Sequence, residues 1–272
     1  MRPFRFLLPL WLGVAVLAAP AASSAQVAVG VSIRVAPPPL PVYTQPPIPA
    51  PGYLWVPGYW AYGPAGYYWV PGTWVEPPAV GLLWTPGYWG WSNGLYAWHA
   101  GYWGPHIGFY GGVNYGFGYF GAGFAGGFWA HGVFNYNRAV ANVGGIHVVT
   151  YNKTVVVNRV HVSFNGGPHG LRARPRPQEE AFAREAHHGP TPMQAQHEHA
   201  AAGNHALLAS VNHGRPPIAA SRHPGVFEGR EVVAARGAHP PGHGGPPPHP
   251  QAHPHPGPAG EHHDEHHEDH HD

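Results

Sequence analysis

The sequence predicts a mainly β protein whose centre is a small antiparallel meander. A motif of the form WxPGxW, with Ala in place of Pro in the fourth copy, occurs four times between residues 53 and 104, and successive copies start 14, 15 and 14 residues apart. Turn-forming residues separate the copies. Gly and Pro are also abundant, with 39 Gly and 35 Pro in 272 residues, a proportion typical of loop-rich structure. We therefore expect short strands and many turns rather than a large aliphatic core.

The first 25 residues have the features of a secretory signal peptide. Arg2 and Arg5 are followed by an apolar run from Phe6 to Ala19, and small residues precede a predicted cleavage site after Ala25. The run is shorter than the ~20 residues that a membrane-spanning helix needs, which favours cleavage over a membrane anchor. We expect an exported protein, located in the periplasm, at the outer membrane or outside the cell. The chain has no Cys, so it forms no disulfide.

A linker precedes the predicted meander, and the repeat module forms it. Residues 26–52 are Pro-rich and predict an extended linker. Residues 53–104 form the repeat module, where paired aromatic rings add ~0.5–1.5 kcal/mol each beyond the burial of their area. The candidate repeat residues are Trp55, Trp60, Trp69, Trp74, Trp84, Trp89, Trp98 and Trp103.

The Pro-Gly inside each copy has two interpretations. It can be a tight turn that brings the two Trp of one copy together, or a kink within one strand, with the turns between copies. The segments between copies are GPAG (63–66), EPPAVG (76–81) and WSNG (91–94), and Asn-Gly is a strong hairpin signal. These segments favour the kink, with one strand and one turn per copy. The fourth copy differs from the others because it has His99-Ala100 in place of Val-Pro or Thr-Pro.

Residues 105–137 alternate Gly with aromatic residues, and none of residues 77–137 is charged. They predict either irregular β structure packed on the repeats or a membrane helix with Gly108, Gly112 and Gly116 in a GxxxG register. Gly costs a helix ~1 kcal/mol per residue, which favours the first interpretation. Residues 138–165 are rich in β-branched residues and predict a β-hairpin that turns at Asn152-Lys153.

Residues 166–238 predict a partly helical, largely extended arm. One helix begins at Pro177 and stops before Gly189. A second follows the capping box Thr191 to Gln194 and extends to about Ser210. Both helices have little apolar surface, so we expect them on the exterior.

Residues 239–272 predict a disordered tail rich in His, Pro and acidic residues. Imidazole beside carboxylate suits Zn, Ni and Cu, so the tail can bind these metals although the protein requires no cofactor. The alternative is a solvating tail whose charge changes as its His residues titrate near their reference pKa of about 6.5. The candidate metal ligands are His262, His263, His266, His267, His270 and His271.

The charge distribution excludes several functions. Residues 53–165 contain one carboxylate, Glu76, and no Asp. General acid–base catalysis and catalytic triads need positioned carboxylates or a nucleophile with its base, so we expect a protein without enzymatic activity. Once Arg2 and Arg5 are cleaved off, 12 basic residues face 13 acidic ones, which is not the charge of a nucleic-acid-binding protein.

The four copies resemble the YxWGxW or WxxGxW repeats of small exported bacterial proteins, a family that includes a protein encoded within contact-dependent inhibition loci. Residues 108–123, 164–177 and 191–216 resemble longer members of the same group. The resemblance implies an envelope or secreted protein and brings no established activity with it.

Three functions remain open from the sequence. The first is a structural or interaction protein of the cell envelope, with an envelope protein or a glycan as partner, peripheral membrane association or self-association. The second is metal buffering through the His-rich tail. The third is glycan binding, which needs several repeat Trp or Tyr rings facing solvent in a row.

Overall fold

The computed structural model describes residues 32–156 and 161–238, and this part of the chain is mainly β. It contains many short strands, three α-helices and two 3₁₀ turns. The strands of the first half are β1 (Ser32–Ile33), β2 (Leu54–Val56), β3 (Tyr59–Gly63), β4 (Gly66–Val70), β5 (Gly72–Val75), β6 (Leu83–Thr85), β7 (Tyr88–Ser92), β8 (Leu95–His99) and β9 (Tyr102–Gly104). The later strands are β10 (Asn114–Gly116), β11 (Tyr119–Phe120), β12 (Gly127–Ala130), β13 (Val133–Asn137), β14 (Thr150–Tyr151), β15 (Phe164–Asn165), β16 (Ala220–Ser221) and β17 (Val232–Val233). The helices are α1 (Pro177–Phe182), α2 (Pro192–Ala202) and α3 (Ala209–Asn212), and the 3₁₀ turns are His205–Leu207 and Gly229–Glu231.

Two long β-hairpins form the centre of the fold. In the first hairpin (residues 54–75), β2 pairs with β5 and β3 pairs with β4, all antiparallel. In the second hairpin (residues 83–104), β6 pairs with β9 and β7 pairs with β8 in the same way. The chain reverses between Gly63 and Gly66 in the first hairpin and at Asn93-Gly94 in the second.

The Pro-Gly pairs interrupt strands and do not form turns, so the kink interpretation is confirmed. The four-stranded meander is wrong, because within the described residues β5 and β6 are not paired. Pro77 and Pro78 follow β5 and have no backbone N–H to donate to a ladder. The EPPAVG segment therefore connects two separate hairpins, and each hairpin uses two of the short copies.

Strands from other parts of the chain cover the edges of the hairpins. β16 lies parallel to β5 and β15 lies parallel to β7, while β1 lies antiparallel to β8. β16 comes from the segment predicted as an extended arm, and in the structure that segment pairs with the repeats. Edge strands with unpaired backbone groups favour aggregation, and these pairings protect the edges named.

The Pro-rich segment predicted as a linker packs on the first hairpin. Leu40 and Ile48 are buried. The carbonyls of Pro39 and Pro46 accept hydrogen bonds from repeat indoles at 3.1 and 2.8 Å. Buried indole N–H groups need acceptors, and this extended segment supplies them.

The Gly-rich and aromatic segment after the repeats forms short strands packed on the core. Tyr110 and Tyr119 are fully buried there, and their rings meet edge to face with centroids 5.9 Å apart. Among the residues described, no helix has the length and apolarity that crossing a membrane requires.

The prediction of a β-hairpin that turns at Asn152-Lys153 is wrong. β14 lies parallel to β13, whereas β15 joins a different sheet beside β7. The Asn137 side chain binds both backbone groups of Lys153, at 2.9 and 3.0 Å. The predicted turn is therefore tied to the end of β13.

The capping box of α2 is confirmed. The Gln194 N–H donates to the Thr191 hydroxyl at 3.3 Å, and the Thr191 N–H donates to the Gln194 side chain at 2.8 Å. α2 ends at Ala202, before the predicted end near Ser210, and α1 ends at Phe182, well before Gly189.

Candidate functional site

The eight repeat tryptophans form four cross-strand pairs. Each pair joins two copies of the motif, so the two Trp of one copy do not lie opposite each other. The rings meet at angles between 52° and 70°, the tilted or edge-to-face arrangement that aromatic rings prefer. The pairs and their centroid distances are Trp55 and Trp74 (5.3 Å), Trp60 and Trp69 (5.1 Å), Trp84 and Trp103 (5.3 Å), and Trp89 and Trp98 (5.4 Å).

The glycine of each copy lies beneath an indole ring from the opposite strand. A Cβ atom at Gly87 would lie 2.5 Å from the Trp98 ring and 2.8 Å from the backbone nitrogen of Gly101. The same relation holds between Gly101 and the Trp84 ring, also at 2.5 Å. None of the four repeat glycines has a left-handed backbone, so the reason for glycine is space. This contact explains why the motif pairs Trp with Gly.

Seven of the eight repeat tryptophans are at most 5% exposed, and Trp98 is half-buried. Most donate their indole N–H to an acceptor far away in sequence. The Trp89 indole donates to the Trp60 carbonyl at 2.7 Å and so joins the two hairpins. The row of exposed Trp rings that glycan stacking needs is therefore missing from the repeats.

A cavity of about 80 Å³ lies where the kinks of the two hairpins meet. Its lining includes Tyr59 and Trp98, whose rings stack with centroids 5.0 Å apart and planes 17° apart. Helix α2 closes one side with Gln194, His197 and Glu198. The wall is largely aromatic and aliphatic, with few polar groups, as in small-ligand sites.

His197 is neutral and fully engaged within this wall. Its Nε2 lies 2.8 Å from the Pro71 carbonyl, and its Nδ1 accepts from the Gly225 N–H at 2.8 Å. The proton therefore sits on Nε2. Burial lowers the His197 pKa to about 4, partly offset by the bond to Pro71. This residue fixes α2 to the kink of the first hairpin.

Tyr59 and Glu198 form the polar edge of the cavity. Burial raises the Tyr59 pKa well above its usual value, and the negative charge of the neighbouring Glu198 carboxylate raises it further. The phenol therefore stays protonated beside Glu198. No pattern in the sequence distinguishes Glu198 or His197, because both lie on a helix predicted to be exterior.

A second concave surface lies beside β13. This groove has a volume of about 400 Å³ and is lined by Trp129, Val133 and Val149, and its lining also includes Glu76 and His147. Val133 and Val149 are 50% and 51% exposed. The Trp129 indole donates to the Leu82 carbonyl at 2.9 Å, which fixes the ring in place.

The six histidines proposed as metal ligands in the tail lie outside the described residues. In the part of the chain that the structure describes, no three His, Asp or Glu side chains are grouped to hold a metal ion. His106 instead pairs with Glu185 at 3.0 Å and stacks on Phe182.

The fold and its indole pairs define a class of β protein in which each repeat is a kinked hairpin closed by two Trp pairs. The WXXGXW repeat matches this chain in two copies, residues 51–75 and 80–103, so the chain contains two WXXGXW repeats. The resemblance to such repeats is thereby confirmed, but the number of copies is two rather than four, because one repeat contains two of the shorter motifs. No curated protein and no solved structure matches the chain.

Proposed function

We propose that this chain is a non-enzymatic, exported protein of the bacterial cell envelope that acts as a structural or interaction module. The observation that carries the proposal is the burial of the repeat Trp side chains. They form the interior of two hairpins and do not form a row of solvent-exposed rings that could bind a ligand. The repeats therefore support a surface built by other segments.

The state of the cavity-lining histidine supports a non-enzymatic role. Both ring nitrogens of His197 are occupied by backbone groups, and its pKa of about 4 favours the neutral form. A general base needs a free lone pair pointing at a substrate, which His197 does not offer. Glu198, the carboxylate in that wall, lies beside the buried Tyr59 phenol.

The groove beside β13 is the surface that best suits a partner. Three valines on its wall, Val80, Val133 and Val149, are 66%, 50% and 51% exposed. Exposed apolar residues grouped around a groove are typical of protein interaction sites. An apolar segment of another envelope protein is the partner that this lining favours, since the polar groups that would orient a sugar are few.

Cell fractionation with groove variants tests the proposal. The full-length protein should be found in the envelope fraction, and Val133→Asp with Val149→Asp should release it to the soluble periplasmic fraction. Val156→Asp is the control, because Val156 is 96% exposed and does not line the groove. Retention in the cytoplasm would contradict export, and unchanged envelope association of the double variant would contradict the role of the groove.

A further inference from the structure

The kink of the first hairpin has an internal hydrogen-bond acceptor. The Gly72 N–H and the Trp69 indole N–H both donate to the Ala219 carbonyl, at 3.1 and 2.9 Å. Gly72 and Trp69 belong to the same hairpin, and Ala219 immediately precedes β16. One oxygen atom therefore satisfies two N–H donors at this kink.

The kink of the second hairpin has the same donors without that acceptor. Gly101 and Trp98 are the counterparts of Gly72 and Trp69, because Trp98 covers Gly87 as Trp69 covers Gly58. Gly101 is buried, and both residues line the cavity. Within the described ranges, no carbonyl or side chain accepts a hydrogen bond from either N–H group. By equivalence with the first hairpin, the two N–H groups point to a common position for an oxygen atom.

The cavity is also the place where the repeats depart from their own pattern. Thr73 occupies a position that is Tyr in the other three copies, and Ala100 occupies one that is Pro in the other three. Both replacements are smaller, and both residues line the same cavity. The Thr73 hydroxyl is buried, with its side chain 1% exposed, and has no hydrogen-bond partner. Leaving such a group unsatisfied destabilises the protein, so a ligand that forms a hydrogen bond with it binds more tightly.

We propose that this cavity binds the acetamido group of an N-acetylated ligand. The carbonyl oxygen accepts from the Gly101 and Trp98 N–H groups, the amide N–H donates to the Glu198 carboxylate, and the methyl group lies against the aromatic and aliphatic wall. Thr73 supplies a further hydroxyl. This inference is independent of the groove beside β13.

The size and charge of the cavity restrict the ligand. Its volume of about 80 Å³ is below the roughly 150 Å³ that accommodates a benzene ring, so it takes a small group and leaves a sugar ring outside. A ligand carboxylate is disfavoured by the nearby Glu198. The acetamido group can come from an N-acetylated amino sugar or from an acetylated amine.

Titration of the full chain with matched small molecules tests the inference. The probes are N-acetylglucosamine, glucosamine, acetamide and N-acetylglycinamide. Their binding is measured by calorimetry and by the amide and indole chemical shifts in NMR spectra. We expect the acetylated probes to shift the Gly101 and Trp98 signals and glucosamine to leave them unchanged. Shifts with N-acetylglucosamine but not N-acetylglycinamide identify a sugar as the source, and the reverse identifies an acetylated amine.

Two cavity variants make the result decisive. Ala100→Pro restores the residue of the other three copies and fills the cavity, and Thr73→Val removes the hydroxyl at similar volume; each should weaken binding at least tenfold. Thr44→Val, at an exposed threonine outside the cavity, is the control and should bind as the parent does. Thermal unfolding of each variant shows whether it is folded. The inference is overturned if no acetylated probe shifts these signals, or if both folded cavity variants bind as the control does.

Discussion

The contact between glycine and indole makes a sharp prediction about Gly87→Ala. The added methyl group would lie 2.5 Å from the Trp98 ring, 2.7 Å from the His99 carbonyl and 2.8 Å from the Gly101 nitrogen. Two of these atoms belong to the backbone of the opposite strand, so they cannot move without separating the strands. Overpacking of this kind costs about 1–3 kcal/mol, and we expect a value near the upper end.

The size of the effect can be measured by thermal unfolding. A loss of about 2–3 kcal/mol corresponds to a fall in Tm of about 4–12 °C for a domain of this size. Gly145→Ala is the matched control, because a Cβ there would meet nothing within 4 Å and Gly145 has no left-handed backbone. Its Tm should stay near that of the parent or rise slightly. The corresponding variant of the first hairpin, Gly58→Ala, should behave as Gly87→Ala does.

Two outcomes would refute this reasoning. If Gly87→Ala melts within about 2 °C of the parent, the indole is not fixed over the glycine and the close contact is not required. If Gly145→Ala loses as much stability as Gly87→Ala, the effect comes from backbone entropy or the unfolded chain and not from the ring.

Three further predictions concern the bonds that hold the module together. The pKa of His197 is about 4 in the folded protein and 6.5 in the free side chain. The contribution of His197 to the free energy of unfolding should therefore be complete above pH 6.5 and fall by roughly 3 kcal/mol as the pH drops to 4. In urea unfolding, His197→Gln should not show this pH-dependent loss of stability. Trp89→Phe removes the hydrogen bond to Trp60 that joins the hairpins. In urea unfolding it should lower stability by about 1 kcal/mol more than Trp98→Phe, because the Trp98 indole has no protein acceptor among the described residues. Equal losses of stability in the two variants would contradict this prediction. Thr191→Ala should lower stability by about 1 kcal/mol through loss of the α2 cap, and an unchanged urea midpoint would contradict it.

The local features of the fold were predictable because they depend on neighbouring residues. The kink at Pro57-Gly58, the turn at Asn93-Gly94 and the capping box at Thr191 all follow from short-range chemistry. The pairing of copies was not predictable in this way, since GPAG and EPPAVG both have turn chemistry and only the first closes a hairpin. Which copies pair depends on contacts with segments that are distant in sequence, such as the hydrogen bond from the Trp69 indole to the Ala219 carbonyl.

The cavity between the two hairpins was also only partly predictable from the sequence. Thr73 and Ala100 are visible in the sequence as departures from the repeat, but their meaning requires the knowledge that the two hairpins bring them to one cavity. Nothing in the sequence relates them to Glu198, which reaches the cavity from helix α2. The positions at which a repeat varies are therefore informative once the pairing is known.

The geometry also explains why the repeating unit contains two motifs. A single WxPGxW segment supplies an indole and a glycine, but its indole covers the glycine of the opposite strand: Trp55 covers Gly72 and Trp69 covers Gly58. One copy alone would leave its rings exposed and its glycine uncovered, whereas two copies complete both contacts and both Trp pairs. The second hairpin repeats this arrangement and is joined to the first by the Trp89 indole at the Trp60 carbonyl. Loss of one motif should therefore disrupt a whole hairpin, because its partner motif would lose both cross-strand Trp pairs and both glycine–indole contacts.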